Sequence, residues 1–205
     1  MDIINRRLDL HEFIDYIAGY NFGTEPADKL VIHHTWRPTK DQWKGAVSIQ
    51  GLKNYYEGKA WPAGPHLFVA DDGIWLFSPM RSDGIHAGEL NHRSIGIEVV
   101  GDYDNEKWTG KTKENALGVI KCLMNQLGID KQNIFFHRDV SSKSCPGKAI
   151  TKAWLFEELG EVRIPIWATE AVTWVNQNHL FEVRNDEDVR DAVKFHRLYK
   201  LIKES

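Results

Sequence analysis

Lys29–Trp36, KLVIHHTW, is the stretch that decides how this chain folds. Its apolar run, Leu30, Val31 and Ile32, is too short for a helix and too continuous for a strand with one wet face. It therefore reads as a strand buried on both faces. The strand ends at His33 and His34. Side chains at a strand end project from the sheet edge into a cleft, so an imidazole there is placed for chemistry. Successive strand residues alternate in direction, so His34 should face away from His33 and sit buried and hydrogen-bonded.

Outward from this strand, helical and strand-like segments alternate. On the N-terminal side, Asp9 and Glu12 stand three apart ahead of Leu10, Phe13, Ile14 and Ile17. That is a capping box opening a helix, and NFGTEPAD follows it as a loop. On the C-terminal side, SIQGLKNYYEG offers a Ser48 cap, apolar residues at 49, 52 and 56, and a closing Gly58, which predicts a second helix. HLFVADDGIWLFS places Asp72-Gly73 between two strand-like runs and predicts a hairpin. SIGIEVVG predicts a further strand after the polar loop HAGELNHR. ALGVIKCLMNQLG, with apolar residues at 116, 120, 123 and 127, predicts an amphipathic helix ended by Gly128. NIFFH predicts a last strand that runs straight into HRDVSSKSCPG, residues 137–147. Strands alternating with helices give an α/β sheet covered by helices.

After Pro165 the pattern changes. WATEAVTWVNQN sets Trp167, Ala171, Trp174 and Val175 on one helix face, and NDEDVRDAVKFHRLYKLIK sets Val189, Ala192, Val193 and His196 on another. Together they read as a two-helix hairpin too small to hold a core alone. The expected organisation is a main domain over residues 1–164 and a helical extension over 165–205.

Bulk properties exclude several function classes. With 205 residues and 42% hydrophobic content the chain is long enough for one buried core. Net charge is −3, and the scattered basic residues make no stripe for nucleic acid or anionic lipid. The N-terminus lacks the apolar core of a signal peptide and no segment is long enough to span a membrane, so synthesis in the cytoplasm without membrane insertion is expected. Cys122 lies on the amphipathic helix and Cys145 in a polar loop. Two thiols in such different settings do not make a disulfide framework.

His33, His137 and Cys145 each fall at or just after the end of a predicted strand. Zinc favours nitrogen and sulfur donors in tetrahedral geometry, and three protein ligands with an open fourth position is the catalytic arrangement. Spacing alone leaves this open against three satisfied loop residues, because no Cys-x2-Cys clip accompanies the His-x7-Cys pair.

The ordered segments VIHHTW, GPHLFVADDGIW, GIHAGELNHRSIGIE and FHRDVSSKSCPG resemble the type 2 N-acetylmuramoyl-L-alanine amidase family over roughly residues 30 to 155. That family includes phage lysis amidases, cell-wall recycling amidases and peptidoglycan recognition proteins. The resemblance implies a mixed central sheet flanked by helices, with one zinc ion in a surface groove that takes the glycan and stem peptide of peptidoglycan. It implies His33, His137 and Cys145 as ligands and Glu98 as general base. Burial at the end of an apolar strand would raise the pKa of Glu98 into a useful range. Lys143 matches a catalytic lysine that would stabilise a developing oxyanion, while His86 and Asn91 match substrate-binding positions, and His66 matches the histidine of the G-x-H motif, with a substrate-binding and a structural role both open. The chain departs from some phage members at Pro65, where they carry a tyrosine; that residue's work is assigned to Glu98.

The implied activity is zinc-dependent hydrolysis of the bond between N-acetylmuramic acid and L-alanine by a monomeric enzyme. A phage endolysin that acts on the wall after release is the leading role, with a cytoplasmic muropeptide-recycling amidase and a non-catalytic recognition module as alternatives. Cys145 argues against the last, because recognition-only members typically lack that ligand. The tail is similar to short wall-binding modules but lacks their usual glycines. Its near balance of acidic and basic residues argues against a membrane-disrupting role.

Overall fold

The computed structural model describes residues 1–160, 168–180, 183 and 186–203. Its elements run β1 (Arg6–Leu8), α1 (Leu10–Ala18), β2 (Lys29–His34), α2 (Ala46–Gly58), β3 (Leu67–Ala70), β4 (Gly73–Leu76), β5 (Ser94–Val99), α3 (Gly110–Leu127), β6 (Ile134–Phe136), α4 (Lys152–Leu159), α5 (Thr169–Gln177) and α6 (Asp186–Lys203). The strands form a mixed sheet in the order β1-β4-β3-β5-β2-β6. β3, β5, β2 and β6 are mutually parallel, while β4 runs antiparallel to β3 and β1. This is the expected α/β architecture.

The strand that opened the reading has the predicted character. Leu30, Val31 and Ile32 are wholly buried between β5 and β6. α1 packs against α3, its first turn closed by the Asp9/Glu12 capping box, and buries Phe13 and Ile17. α3 ends as predicted at Gly128, whose left-handed backbone (φ 67) terminates the helix. α2 covers part of the sheet, where Ile49 and Tyr56 pack with Phe68, Trp75 and Phe77. Phe68 stands opposite Glu98, and Glu98 opposite His33. One row across three parallel strands therefore carries an apolar anchor, a carboxylate and an imidazole.

Some local expectations are corrected. α2 begins at Ala46 with Gly45 at its cap. Ser48 is instead the third helical residue, and its hydroxyl reaches back to accept the Lys44 amide at 2.9 Å. The hairpin turn is Asp71-Asp72, because Ala70 pairs with Gly73 and Gly73 already belongs to β4. The Asp72 carboxylate accepts the indole N–H groups of Trp43 and Trp75 at 3.0 and 3.1 Å, which ties the turn down. β1 carries no apolar alternation; it pairs with β4 and buries Leu8. α4 begins at Lys152, in a segment for which no helix was expected.

The chain divides into two compact units after Leu155. The expected boundary at 164/165, together with Trp167, lies outside the described residues. Within the second unit, α5 and α6 pack through Ala168, Val172, Val175, Val189 and Ala192, with Trp174, Val183 and Val193 partly buried against them. No described helix is long and apolar enough to cross a membrane.

Candidate metal centre

The carboxyl ends of parallel strands converge on one edge of the sheet, the usual place for a binding crevice in α/β proteins. His33 is the fifth residue of β2 and Glu98 the fifth of β5, paired in register. Ile32 pairs with Phe136 of β6, so the next residue, His137, emerges beside His33 with ring centroids 4.7 Å apart. Cys145 returns from the loop beyond. Its Sγ lies 3.7 Å from His33 Nδ1 and accepts the His34 amide at 3.4 Å.

Arg138 is what brings the cysteine back. Its backbone amide donates to the Cys145 carbonyl at 2.9 Å. Its guanidinium donates to the carbonyls of Ser144 (3.1 Å), Gly147 (2.8 Å) and Ile150. A planar fork with five donors suits three converging carbonyls in a way an ammonium cannot. Sequence reasoning read the FHRD segment only for its histidine and missed this role. Nothing local in the sequence marks it, because its partners are backbone carbonyls.

One donor atom from each of His33, His137 and Cys145 lies within 4.8 Å of the others. Tetrahedral zinc, with nitrogen at about 2.0 Å and sulfur at about 2.3 Å, sets N···N separations of about 3.3 Å and N···S separations of about 3.5 Å. The His33–Cys145 separation of 3.7 Å lies close to the latter, so small side-chain adjustments suffice for the trio to hold the ion. Burial, then the Glu98 carboxylate, pushes the Cys145 thiol up. A thiolate in this setting needs a cation at bonding distance. Burial, then the neighbouring His86, holds His33 well below its ordinary value, so its ring is a neutral ligand.

Glu98 is the most perturbed carboxylate of the edge. Its side chain is 12% exposed, with Oε1 3.9 Å from His33 Nδ1, and its Oε2 is buried without a hydrogen-bond partner. Burial pushes its pKa up to about 8, with Lys143 opposing. A cavity of about 560 Å³ opens over the cluster, and Glu98, His86 and Lys143 line it together with Trp36, Tyr55 and Trp61. Lys143 is exposed at its mouth.

The remaining expected site residues behave differently. His34 is turned away from the cluster, its Nδ1 accepting the Tyr103 amide at 3.2 Å, as alternation requires. His66, matched to a substrate-binding position, offers the cavity nothing. It is wholly buried, its Nδ1 accepts the Gly96 amide at 2.9 Å, and its Nε2 faces the Ser82 carbonyl at 2.9 Å. Asn91 is likewise occupied internally, its Oδ1 accepting the amides of His86 (3.0 Å) and Ala87 (2.7 Å). The His66 ring and the Asn91 Oδ1 thus both face backbone, of the loop before β5 and of β5 itself. His86 does line the cavity, with its Nδ1 3.1 Å from His33 Nε2.

A mixed sheet bearing two histidines, one cysteine and a buried carboxylate at its carboxyl edge defines an α/β protein with one candidate metal site among the described residues. The N-acetylmuramoyl-L-alanine amidase family profile matches residues 23–148, and the chain belongs to that family. The amidase XlyA of Bacillus subtilis (strain 168) is 34% identical over 145 residues, covering 69% of this chain and 47% of that protein. The chain thus spans about half the length of this relative. Peptidoglycan-recognition protein SC1a of Drosophila melanogaster is 28% identical over 127 residues, 58% of this chain and 68% of that one. Among solved structures, the amidase LysC from Clostridium intestinale shares the fold with a TM-score of 0.57 at 23% identity, covering 68% of this chain and 88% of that chain. Drosophila PGRP-LB shares it with a TM-score of 0.54 at 25% identity, covering 66% and 81%.

Proposed function

We propose that this chain uses one zinc ion to hydrolyse the amide bond between N-acetylmuramic acid and L-alanine in bacterial peptidoglycan, acting as a phage endolysin. The observation that carries the reading is the convergence of His33, His137 and Cys145 beside a buried carboxylate with one unpartnered oxygen. A role in recognition alone needs neither the buried thiol nor that carboxylate, so the catalytic reading is preferred.

His33, His137 and Cys145 would hold the ion and leave a fourth position open. Bound there, zinc supplies Lewis-acid activation of water and of the scissile carbonyl. Glu98, whose raised pKa suits proton exchange near neutrality, takes a proton from the attacking water and returns it to the alanine nitrogen as the stem peptide leaves. Lys143, at the cavity mouth, presents a cation to the developing oxyanion. The wall of Trp36, Tyr55 and Trp61 offers flat apolar surface to the glycan. Residues 1–164 form the catalytic domain of a monomeric enzyme in this reading, and the α5–α6 extension holds it on intact wall after release from the cytoplasm. That anchoring favours an endolysin over a recycling amidase.

The test is digestion of purified sacculi with and without a chelator, scoring new N-terminal alanine against new reducing sugar. Alanine termini that appear only with zinc are expected. Reducing ends, or activity that survives complete metal removal, would overturn the proposal. Cleavage of soluble muropeptides alone would replace the lysin role with recycling.

A further inference from the structure

We propose that His86 is a positioning residue: with Ser94 and Asn91 it forms a hydrogen-bond relay that fixes which nitrogen of His33 faces the metal. This rests on the zinc reading above and adds a role that the sequence match, which placed His86 against substrate, did not suggest.

The relay can be followed from its outer end. The Asn91 carbonyl can only accept, and Ser94 Oγ lies 3.2 Å from it as donor. With its proton so committed, Ser94 Oγ accepts at its other contact, 3.3 Å from His86 Nε2. A neutral imidazole has one N–H and one lone pair. His86 therefore carries its proton on Nε2 and offers the Nδ1 lone pair to His33 Nε2, 3.1 Å away. That obliges His33 to keep its proton on Nε2. Its Nδ1 lone pair is left pointing toward Cys145 Sγ at 3.7 Å and Glu98 Oε1 at 3.9 Å, the side on which the donors converge. Each bond sets the direction of the next, so a backbone carbonyl three bonds away selects the ligand tautomer. Such outer partners typically account for about 10- to 100-fold in metal affinity.

The surroundings are built to hold the ring. The Asn91 side chain takes the His86 and Ala87 amides, so one residue holds both the outer end of the relay and the backbone of its central histidine. Gly96, next to the Glu98 strand end, leaves the space the ring fills: a Cβ there would meet His86 at 2.7 Å. The two imidazoles meet edge to face with centroids 5.1 Å apart, which leaves His33 little freedom to flip.

The discriminating experiment compares His86→Phe, which keeps ring volume without an acceptor, with His86→Asn, whose Oδ1 sits near the lost Nδ1. Zinc affinity is measured by competition with a chromophoric chelator. The His33 tautomer is read from ring nitrogen shifts in the zinc-free protein. His86→Phe should weaken zinc about 10- to 100-fold and mix the His33 tautomers, and His86→Asn should recover most of both. Ser94→Ala, which leaves the ring in place, should show a smaller loss of the same kind. If His86→Phe keeps wild-type zinc affinity and a single tautomer while His86→Asn is impaired, His86 only fills space and the proposal is wrong. Both readouts are independent of substrate, so an inactive wild type that binds zinc sinks the amidase reading and leaves the relay standing. A wild type that binds no zinc sinks both.

Discussion

The two halves of the metal centre are built on different principles. His33 and Glu98 ride on adjacent parallel strands, paired in register with wholly buried backbone on either side. His137, Lys143 and Cys145 ride on a loop that has no sheet pairing and is gathered by the Arg138 guanidinium and backbone amide. The strand half is positioned by the whole core and tolerates no local adjustment. The loop half is positioned by a few hydrogen bonds and can adapt to the ion. An acid and a first donor set by the sheet, with the remaining donors set by loop hydrogen bonds, is a division that would suit the proposed catalytic metal site.

Removing a donor from the loop half should give the largest effect. Cys145→Ser replaces a soft thiolate with a weak neutral oxygen donor, and should lower zinc affinity by at least about 100-fold and abolish hydrolysis. Because the strand half and the aromatic wall are untouched, binding to sacculi should persist in a pull-down. Loss of wall binding together with activity would mean that the loop also carries the substrate, and the division between the halves would fail. In the strand half, Glu98→Gln should lower the hydrolytic rate by about 10²- to 10⁴-fold while zinc stoichiometry stays at wild type. Zinc lost with Glu98 would make it a ligand rather than a base.

Lys143 sharpens the comparison from the loop side. Its ammonium is exposed and therefore screened, so Lys143→Met should lower the rate by only about 10- to 100-fold, with unchanged zinc affinity and melting temperature. Raising the ionic strength should narrow the gap between wild type and variant. A gap indifferent to salt would show that the lysine acts by shape rather than charge.

The strand half was legible from the residues because burial leaves a mark in composition. An unbroken Leu-Val-Ile run, rich in β-branched residues and ending in polar ones, reads as a strand covered on both faces, and alternation then separates His33 from His34. Glu98 was singled out by the family resemblance, with its place at the end of the apolar run SIGIE in agreement. The loop half was legible only through the spacing of whole motifs, since nothing local in SSKSCPG announces that a thiol will turn back toward a strand. Arg138 escaped because its work is done on backbone carbonyls, which have no sequence signature. For His66 and Asn91 the limit is related: a motif match places a polar side chain at a position without telling whether backbone or substrate uses it. β1 was invisible because an edge strand of Arg6-Arg7-Leu8 needs only a partner with free backbone groups, which β4 provides.

A last effect, on stability rather than rate, concerns the strand half alone, in zinc-free protein, since a bound cation would invert the local pKa logic. Burial raises Glu98 from its ordinary 4.5 to about 8 in the folded chain. A raised folded pKa means that the folded state holds its proton more tightly than the unfolded state. Stability from this group is then fully present below about pH 4.5 and is lost as pH rises toward 8. Buried histidines act with the opposite sign. His66 is lowered to about 4 and His86 to about 3, both chiefly by burial, so their contribution is complete above 6.5 and lost as the solution is acidified. Comparing wild type with Glu98→Gln cancels the histidines, which both proteins share. The variant's advantage in chemical denaturation should grow between pH 5 and pH 8 by at most about 4 kcal/mol, taking about 1.4 kcal/mol per unit over three units. The Lys143→Met background should enlarge it, because Lys143 is the cation that opposes the upward shift. A difference that stays flat with pH would mean that water reaches Glu98 in the folded state, and the contrast between a dry strand half and a wet loop half would be lost.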